Sequence, residues 1–501
     1  MSLRSLPPFP DLRAFIAHLD RSGQLMRVDE PVSLVHEMTE VHRRMLRAGG
    51  PALLFERAVM ADGRTSDIPV LVNLFGTRER VAMGLGVTPD GLDALGEAMA
   101  WLRQPEAPSD FRDAFRRWPL LRAALATRSV AARSAPVQEV VCQGDRVHLS
   151  TLPIQTCWPG EPAPLITWPL VVTSPPGDYA PGRTNVGVYR LQVLGRDRLI
   201  VRWLANRGGA RHHAQWRAKG EAMPIAIAIG ADPALMLAAA MPIPEAMSEL
   251  TFSGLLRGRS TRVAPGITVP VPVPADAEIV IEGTVSPGET APEGPYGDHT
   301  GYYNSVEPFP VMQVTAITHR RAPIYLSTHT GRPPDEPSVI GEVFARLLVP
   351  LLRKQFPEIE DFHLPPEACS YRMAVVSIRK RYAGQARRLM LGLWSALPQF
   401  TLTKMIVVVD PDIDVRNWAD VIWAISTRAD LARDLVTIAD TPIDYLDFAS
   451  PKPGLGGKLG IDATNKIGPE TEREWGRVLT MSPEVVQRVD AIWHRLTTGR
   501  G

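Results

Sequence analysis

The chain has 501 residues, enough for two or three domains with ample core. Its 55 Lys and Arg nearly balance 54 Asp and Glu, which excludes a bulk electrostatic attraction to nucleic acid or an anionic membrane. Three scattered cysteines (Cys142, Cys157, Cys369) exclude a disulfide framework or zinc spacing, and no stretch approaches the ~20 apolar residues of a membrane span.

Met1 to Pro10 has prolines where a secretory leader carries its apolar run, so no leader is expected, and the odd cysteines fit a reducing cytosol. Asp11 is placed to cap an amphipathic helix over 12–19, and a second helix over 37–46 ends at Gly49-Gly50. Apolar runs at 52–55 and 70–74 read as strands, the latter leading into a helix over 78–83. Residues 106–135, rich in Arg, Ala and Pro, read as a helical connector, with a domain boundary near 135.

The texture then changes. Segments 137–141, 170–173, 187–193, 199–203, 225–229, 277–283 and 311–319 are β-rich and divided by turn residues, with one helix over 233–240. Such spacing predicts a barrel or sandwich. From 331 the pattern is α/β again: a long helix over 339–354 despite Pro350, buried strands at 374–378 and 405–410, and a helix over 418–427. Residues 450–468 read as a loop rich in Gly, Pro and Lys, and 483–496 as a closing helix. The fold class is therefore α+β and multidomain: an N-terminal α/β domain over 1–135, a central β-barrel over 136–330, and a C-terminal α/β domain over 331–501.

The most informative stretch is Glu-Gly-Pro-Tyr-Gly-Asp-His-Thr-Gly-Tyr-Tyr-Asn at 293–304. Gly294, Pro295, Gly297 and Gly301 exclude a helix interior. A shaped loop of this kind holds Glu293 and Asp298 close together, where repulsion and desolvation can raise one carboxyl into the range of a proton donor; taken alone, the stretch reads equally as a solvated turn. A second stretch brings Arg190 and Arg202 on neighbouring strands, followed by Arg207-Gly208-Gly209. A Gly-Gly turn beside guanidinium groups suits a phosphate, and solvated arginines on amphipathic strands are the alternative. Neither a GxGxxG fingerprint nor a Walker loop is present. Glu249, among apolar neighbours, wants a metal or a cation, and with Asn185 it would favour Mg²⁺ or Mn²⁺ over zinc, although a lone Glu and a lone Asn by themselves form no metal motif. His212 and His213 could add nitrogen.

These motifs resemble the UbiD family of prenylated-flavin decarboxylases over essentially the whole chain. The resemblance rests on Asn-Val-Gly-Val-Tyr-Arg (185–190), Arg-Trp-Leu-Ala-Asn-Arg-Gly-Gly (202–209), Ser-Glu-Leu-Thr-Phe-Ser-Gly-Leu-Leu-Arg-Gly (248–258) and the 291–304 stretch. Thr-Gly-Arg-Pro-Pro-Asp-Glu-Pro (330–337), Thr-Pro-Ile-Asp-Tyr-Leu-Asp-Phe-Ala-Ser-Pro (441–451) and Gly-Ile-Asp-Ala-Thr-Asn-Lys (460–466) extend it. The late motifs are most similar to the branch acting on 4-hydroxy-3-polyprenylbenzoate in ubiquinone biosynthesis.

The resemblance implies a split β-barrel of flavin-reductase-like type that binds prenylated FMN with Mn²⁺ or another divalent cation, K⁺ being a further candidate ion. By motif match Asn185, Glu249 and His212 would be metal ligands. Val188, Tyr189, Arg190, Arg202, Trp203, Leu204, Arg207 and Gly208 would line the cofactor. Asp298, Glu293 and Arg190 would be the catalytic set, with Asp298 as proton donor, and Asp in that third place favours the ubiquinone-pathway branch. Losing CO₂ from an sp² ring carbon leaves electrons that no side chain can hold, so a cofactor must take them. Implied partners are an aromatic carboxylic acid, a flavin prenyltransferase and further copies of the chain as a dimer or hexamer. The implied place is the cytoplasm, with peripheral contact at the membrane face for a lipid-like substrate. The same chemistry on a small aromatic or heteroaromatic acid is the near rival, and a flavin-binding assembly protein without turnover the distant one.

Other residues read plainly. Asp410, at a strand end, suits either a functional group of an open parallel sheet or a helix cap. Lys458 and Lys466 read as solvated lysines, with a phosphate contact as the alternative. Trp394, Trp418, Trp423 and Trp475 read as core or interface packing, and Cys369 as inert.

Overall fold

The computed structural model describes residues 4–103, 127–204, 207–241, 243, 247–369, 371–396 and 398–498. Asp11 caps the first helix as expected, its carboxylate accepting the Ala14 N–H at 2.9 Å. Helix Leu12–Arg21 then buries the stripe Leu12, Phe15, Ile16 and Leu19. Strands Leu25–Val28, Ala52–Phe55, Val70–Val72 and Tyr325–Leu326 make a four-stranded sheet, so the chain returns to its N-terminal part after the central one. Of the expected connector, residues 106–126 lie outside the described residues, and 130–131 is a short strand rather than helix.

The core of the molecule is a nine-stranded antiparallel sheet. Its order is Asn185–Val188, Leu170–Thr173, Met223–Ile229, Ile279–Glu293, Glu307–His319, Arg198–Val201, Leu191–Val193, Leu165–Ile166, with Val140–Gln143 added on Glu307–His319. Asn185–Val188 stands at one end of this order and Leu191–Val193 near the other, yet only Tyr189 and Arg190 separate them in the chain. Three residue steps reach about 10 Å at full extension. The sheet must therefore curl until its two ends meet, giving a half-barrel with Arg190 on the seam. The expected strand over 187–193 is broken at Tyr189–Arg190, so the strict alternation of faces does not run from Asn185 to Arg190. Gly187 contributes room, since a Cβ there would fall 2.6 Å from the Tyr189 ring.

Two helices on this sheet were not foreseen. The Gly-Gly turn expected at 208–209 is the first turn of helix Gly208–Lys219, and Glu249 opens helix Glu249–Arg257.

Helix Glu336–Gln355 carries the chain into the C-terminal domain, capped by Asp335, which accepts the Ser338 N–H at 3.0 Å. It packs so tightly on helix Leu92–Arg103 that a Cβ on Gly96 would meet the Leu347 carbonyl at 3.0 Å. The C-terminal sheet runs Ile359–His363, Met373–Ile378, Met405–Val409, Leu455–Ala463, Leu435–Pro442, its inner three strands parallel. The loop expected over 450–468 is thus largely a central strand. Its glycines are packing requirements: a Cβ on Gly460 would meet the Met390 sulfur at 2.5 Å. Helix Pro483–Thr498 forms as expected, with Val486, Val489, Ile492 and Trp493 exposed. Among the described residues no helix is long and apolar enough to cross a membrane.

Candidate active site

Glu293 is the last residue of the long strand Ile279–Glu293, and Asp298 lies in the turn that returns the chain to Glu307–His319. Gly294 leaves the ladder at φ +93°, a left-handed conformation that a side chain strains to adopt. Asn304 ties the loop, its Oδ1 accepting the Tyr296 N–H at 2.7 Å while its amide donates to Glu293 at 3.3 Å. On the far side Trp158 donates to the Thr330 carbonyl at 2.9 Å and lies so close that a Cβ on Gly297 would meet its ring at 2.2 Å.

Arg190 stands between the two acids. Its Nε donates to Glu293 at 2.8 Å and its Nη1 to Asp298 at 3.0 Å. Arg202 approaches the same pair, with Nε 3.4 Å from Glu293 and Nη1 3.6 Å from Asp298. Its Nε and Nη2 are buried with no hydrogen-bond partner among the described residues. Glu293 is 0% exposed, and Asp298 and Arg202 each 7%. The expected convergence of Arg190, Glu293 and Asp298 is therefore present, with Arg202 as a fourth member drawn from the cofactor set.

The expected electrostatics are reversed at Asp298. Burial by itself would raise that carboxyl, but the His299 hydrogen bond and the charges of His299, Arg190 and Arg202 hold it well below the usual carboxylate range. The His299 ring meets Asp298 Oδ1 at 2.5 Å, and its main-chain N–H donates to the same oxygen at 2.7 Å. Like-charge repulsion between Glu293 and Asp298 does not govern, because a guanidinium lies between them.

A second cluster forms one strand away. Asn185 pairs with Thr173 across the sheet, and Thr173 is hydrogen-bonded to His212 Nδ1 at 2.9 Å. Glu249, at the start of its helix, accepts the Val186 N–H at 2.7 Å. Burial pushes its carboxyl up to about 7, with only main-chain N–H groups opposing. The Asn185 amide presses on Gly208, where a Cβ would fall 1.8 Å from its oxygen, and its buried nitrogen has no partner among the described residues. Desolvation keeps His212 below its ordinary value, in the neutral form that ligates metals. An uncompensated buried carboxyl, an unpartnered amide and a neutral imidazole fit a divalent cation bound through oxygen and nitrogen. Among the described residues no set of three His, Cys, Asp or Glu stands together for a metal, so a cation here would need the Asn185 side chain as a third ligand.

The remaining cofactor candidates surround the start of helix Gly208–Lys219. Val188 ends its strand opposite Leu170. The Tyr189 hydroxyl accepts the Gly209 N–H at 3.2 Å, and its ring meets Trp203 edge-on at 6.5 Å. Leu204 is half-buried, and Arg207 is exposed at the N-cap position. The Arg207-Gly208-Gly209 stretch is thus a helix start rather than a turn, with the Gly209 N–H already engaged by Tyr189.

Sequence reasoning passed over three residues here. Glu161 lies half-buried beside the loop, accepting the Cys157 N–H at 2.6 Å, and desolvation raises its carboxyl. Asn304 stood inside the motif without a role. Asp444, within the 441–451 motif, reaches from the C-terminal domain to 3.8 Å from His299 Nε2. Three other expectations are corrected. Lys458 is buried, donating to the Thr401, Thr403 and Pro442 carbonyls at 2.6, 2.9 and 3.2 Å. Lys466 is buried between Asp462 and Asp434 at 3.1 and 3.4 Å. Asp410 neither caps a helix nor stands free, but pairs with Arg428 at 2.7 Å and accepts the Asn465 N–H at 2.6 Å.

Three domain families named for 3-octaprenyl-4-hydroxybenzoate carboxy-lyase match in order. These are the N-terminal domain over residues 16–99, the Rift-related domain over 128–333 and the C-terminal domain over 338–463. The UbiD-class enzyme HmfF from Pelotomaculum thermopropionicum, in complex with FMN, is 30% identical with a TM-score of 0.79, over 96% of this chain and 99% of that one. The closed form of vanillic acid decarboxylase from Sedimentibacter hydroxybenzoicus is 26% identical with a TM-score of 0.80, over 97% and 99%. Apo 3,4-dihydroxybenzoic acid decarboxylase from Klebsiella pneumoniae is 25% identical with a TM-score of 0.75, over 95% and 99%. Fold and comparisons together define a carboxy-lyase architecture. The chain belongs to the UbiD family, whose enzymes are prenylated-FMN-dependent carboxy-lyases.

Proposed function

We propose that this chain decarboxylates an aromatic carboxylic acid without net oxidation, with Arg190, Glu293 and Asp298 managing the proton that replaces the carboxylate. The observation that carries the reading is the convergence of half-buried Arg190 with buried Glu293 and Asp298 on the seam of the half-barrel, beside the separate Asn185, Glu249 and His212 cluster. The second cluster would hold a divalent cation such as Mn²⁺. Val188, Tyr189, Arg202, Trp203, Leu204, Arg207 and Gly208 would hold prenylated FMN, with its phosphate at the helix start. Bound there, that group supplies the electron sink that loss of CO₂ from an sp² carbon requires.

The chain's own residues do the rest. Arg190 orients both carboxylates, and the unpartnered N–H groups of Arg202 offer charged donors to an anion entering the site. Burial of Glu293 and Asp298 keeps the exchange of carboxylate for proton away from bulk water. Asp298 delivers the proton, and Glu293 sets its environment.

For the substrate we infer 4-hydroxy-3-polyprenylbenzoate, giving a 2-polyprenylphenol in ubiquinone biosynthesis. The descriptions of the three matching domain families and the aspartate at position 298 support this. Exposed Tyr302, Tyr303, Val306 and Phe448 around the loop would suit an apolar tail. The same reading expects a flavin prenyltransferase as cofactor source, assembly into a homo-oligomer and peripheral contact with a membrane. A second reading, a small phenolic acid, is favoured by the relatives named for vanillic and 3,4-dihydroxybenzoic acid. Incubating holoenzyme with each acid class and measuring CO₂ separates them: release from the polyprenylated acid alone supports the first, and release from the small acids alone the second.

A further inference from the structure

We infer that His299 is a positioning residue that reloads Asp298 with its proton, and that Asp444 of the C-terminal domain holds the imidazole in place for that task. The inference rests on Asp298 being the proton donor proposed above.

Both oxygens of Asp298 are committed to cations or donors. Oδ2 takes Arg190 at 3.0 Å, and Oδ1 takes the His299 ring at 2.5 Å and the His299 N–H at 2.7 Å. A carboxylate so held is stable in its charged form, so it can donate a proton only if something gives it one first. An arginine cannot release a proton in this range. Among the described residues the titratable group hydrogen-bonded to Asp298 that can is His299.

The other ring nitrogen faces the C-terminal domain. His299 Nε2 lies 3.8 Å from Asp444 Oδ2, and that oxygen also receives the Tyr371 hydroxyl at 3.1 Å and faces Arg372 Nη2 at 3.2 Å. An imidazole with a carboxylate at each nitrogen is held as imidazolium. Burial opposes this. The Asp298 hydrogen bond and the charges of Asp298 and Asp444 outweigh both burial and the nearby Arg372, and raise His299 above its ordinary value. Its charge also reaches buried Asp335, the N-cap of helix Glu336–Gln355. Arg190 and Arg202 act on it through Asp298.

The proton balance is simple. The substrate carboxylate leaves as CO₂ and its bonding pair stays with the ring carbon. Asp298 gives that carbon one proton, His299 Nδ1 passes its proton to Asp298 Oδ1, and solvent restores the neutral imidazole. Because Asp444 belongs to the other domain, seating the C-terminal domain and charging the donor become one event.

The test is the pH dependence of kcat and KM for holoenzyme carrying His299→Asn or Asp444→Asn, with Asp298→Asn as reference and flavin absorbance as the check on folding. The His299→Asn amide can still donate to Asp298 but carries no proton to give. We expect it to lower kcat at least tenfold with KM within about twofold. The imidazolium is present at low pH and lost as pH rises through its raised value, so Asp444→Asn should move the alkaline limb of kcat down by about one pH unit. Wild-type kcat and an unmoved alkaline limb in both variants, with Asp298→Asn inactive, would overturn this inference alone. Wild-type turnover by Asp298→Asn would overturn the underlying assignment. If His299→Asn loses its flavin, the Asp444→Asn limb decides.

Discussion

Arg190 meets Glu293 through two nitrogens, Nε at 2.8 Å from Oε1 and Nη2 at 3.3 Å from Oε2, with Glu293 wholly out of solvent. Forked geometry of this kind fixes direction as well as charge, and it leaves Arg190 Nη1 free to reach Asp298 at 3.0 Å. The pair is drawn from the seam of the half-barrel and the end of its longest strand, so the curl of the sheet assembles the site.

Arg190→Met strands a buried carboxylate. Removing one partner of a buried ion pair costs about 3–5 kcal/mol, and the cost should appear as a lower denaturation midpoint together with no CO₂ release. Adding Glu293→Gln should recover part of that stability and none of the activity. Denaturant unfolding of the single and double variants, paired with a CO₂ assay, checks both.

Gly208→Ala tests the second cluster. A Cβ at this position would stand 1.8 Å from the Asn185 side-chain oxygen, which must then move. The fold should persist, since Ala is the better helix former. Affinity for Mn²⁺ and for the flavin should fall at least tenfold, as is typical when groups that orient metal ligands are disturbed. Metal content and flavin absorbance of the purified variant are the readouts.

Stability should depend on pH through a buried group behind the loop. His329 Nδ1 lies 3.2 Å from His42 Nδ1, and His42 Nε2 lies 3.5 Å from Glu336. Glu336 also accepts the Phe75 N–H at 2.6 Å and the Thr328 hydroxyl at 2.5 Å. Burial pushes Glu336 up to about 7 and His329 down to about 4, and it holds His42 well below its ordinary value. A raised carboxyl contributes stability below its unfolded value of 4.5 that is lost as pH climbs toward 7. A depressed imidazole contributes stability above 6.5 that is lost as pH falls. Between those limits two imidazoles oppose one carboxyl. The group therefore loses about 1.4 kcal/mol per pH unit of acidification. In Glu336→Gln the opposing carboxyl is gone and the slope should approach about 2.7 kcal/mol per unit. Unfolding free energies at pH 5 and 6.5 measure the difference.

Much of this was legible in the sequence. Apolar periodicity and Asp11 placed the first helix, and the 293–304 stretch announced a shaped loop with two acids. What escaped reading was set by contacts distant in sequence. Gly456, Gly457 and Gly460 looked like loop, but helix Gln385–Ala396 packs on that strand and leaves no space for a Cβ at Gly460. Gly208 and Gly209 looked like a turn, but they let a helix start pack under Asn185, Tyr189 and Trp203. The ionisation of Asp298 was misjudged differently: neighbouring carboxyls and burial argue for a raised value, but the adjacent His299 ring, followed by Arg190 and Arg202 brought in by sheet closure, reverses the sign. Asp444 carried no sign of its role, because only domain packing brings it to His299.

The central claim is that Asp298 and Glu293, steered by Arg190, supply the proton that takes the place of CO₂. The most direct measurement is product formation by Asp298→Asn and Glu293→Gln, each purified with its flavin, beside the parent enzyme. The account predicts the parent's flavin absorbance and no product from either variant. Undiminished turnover in both would contradict it.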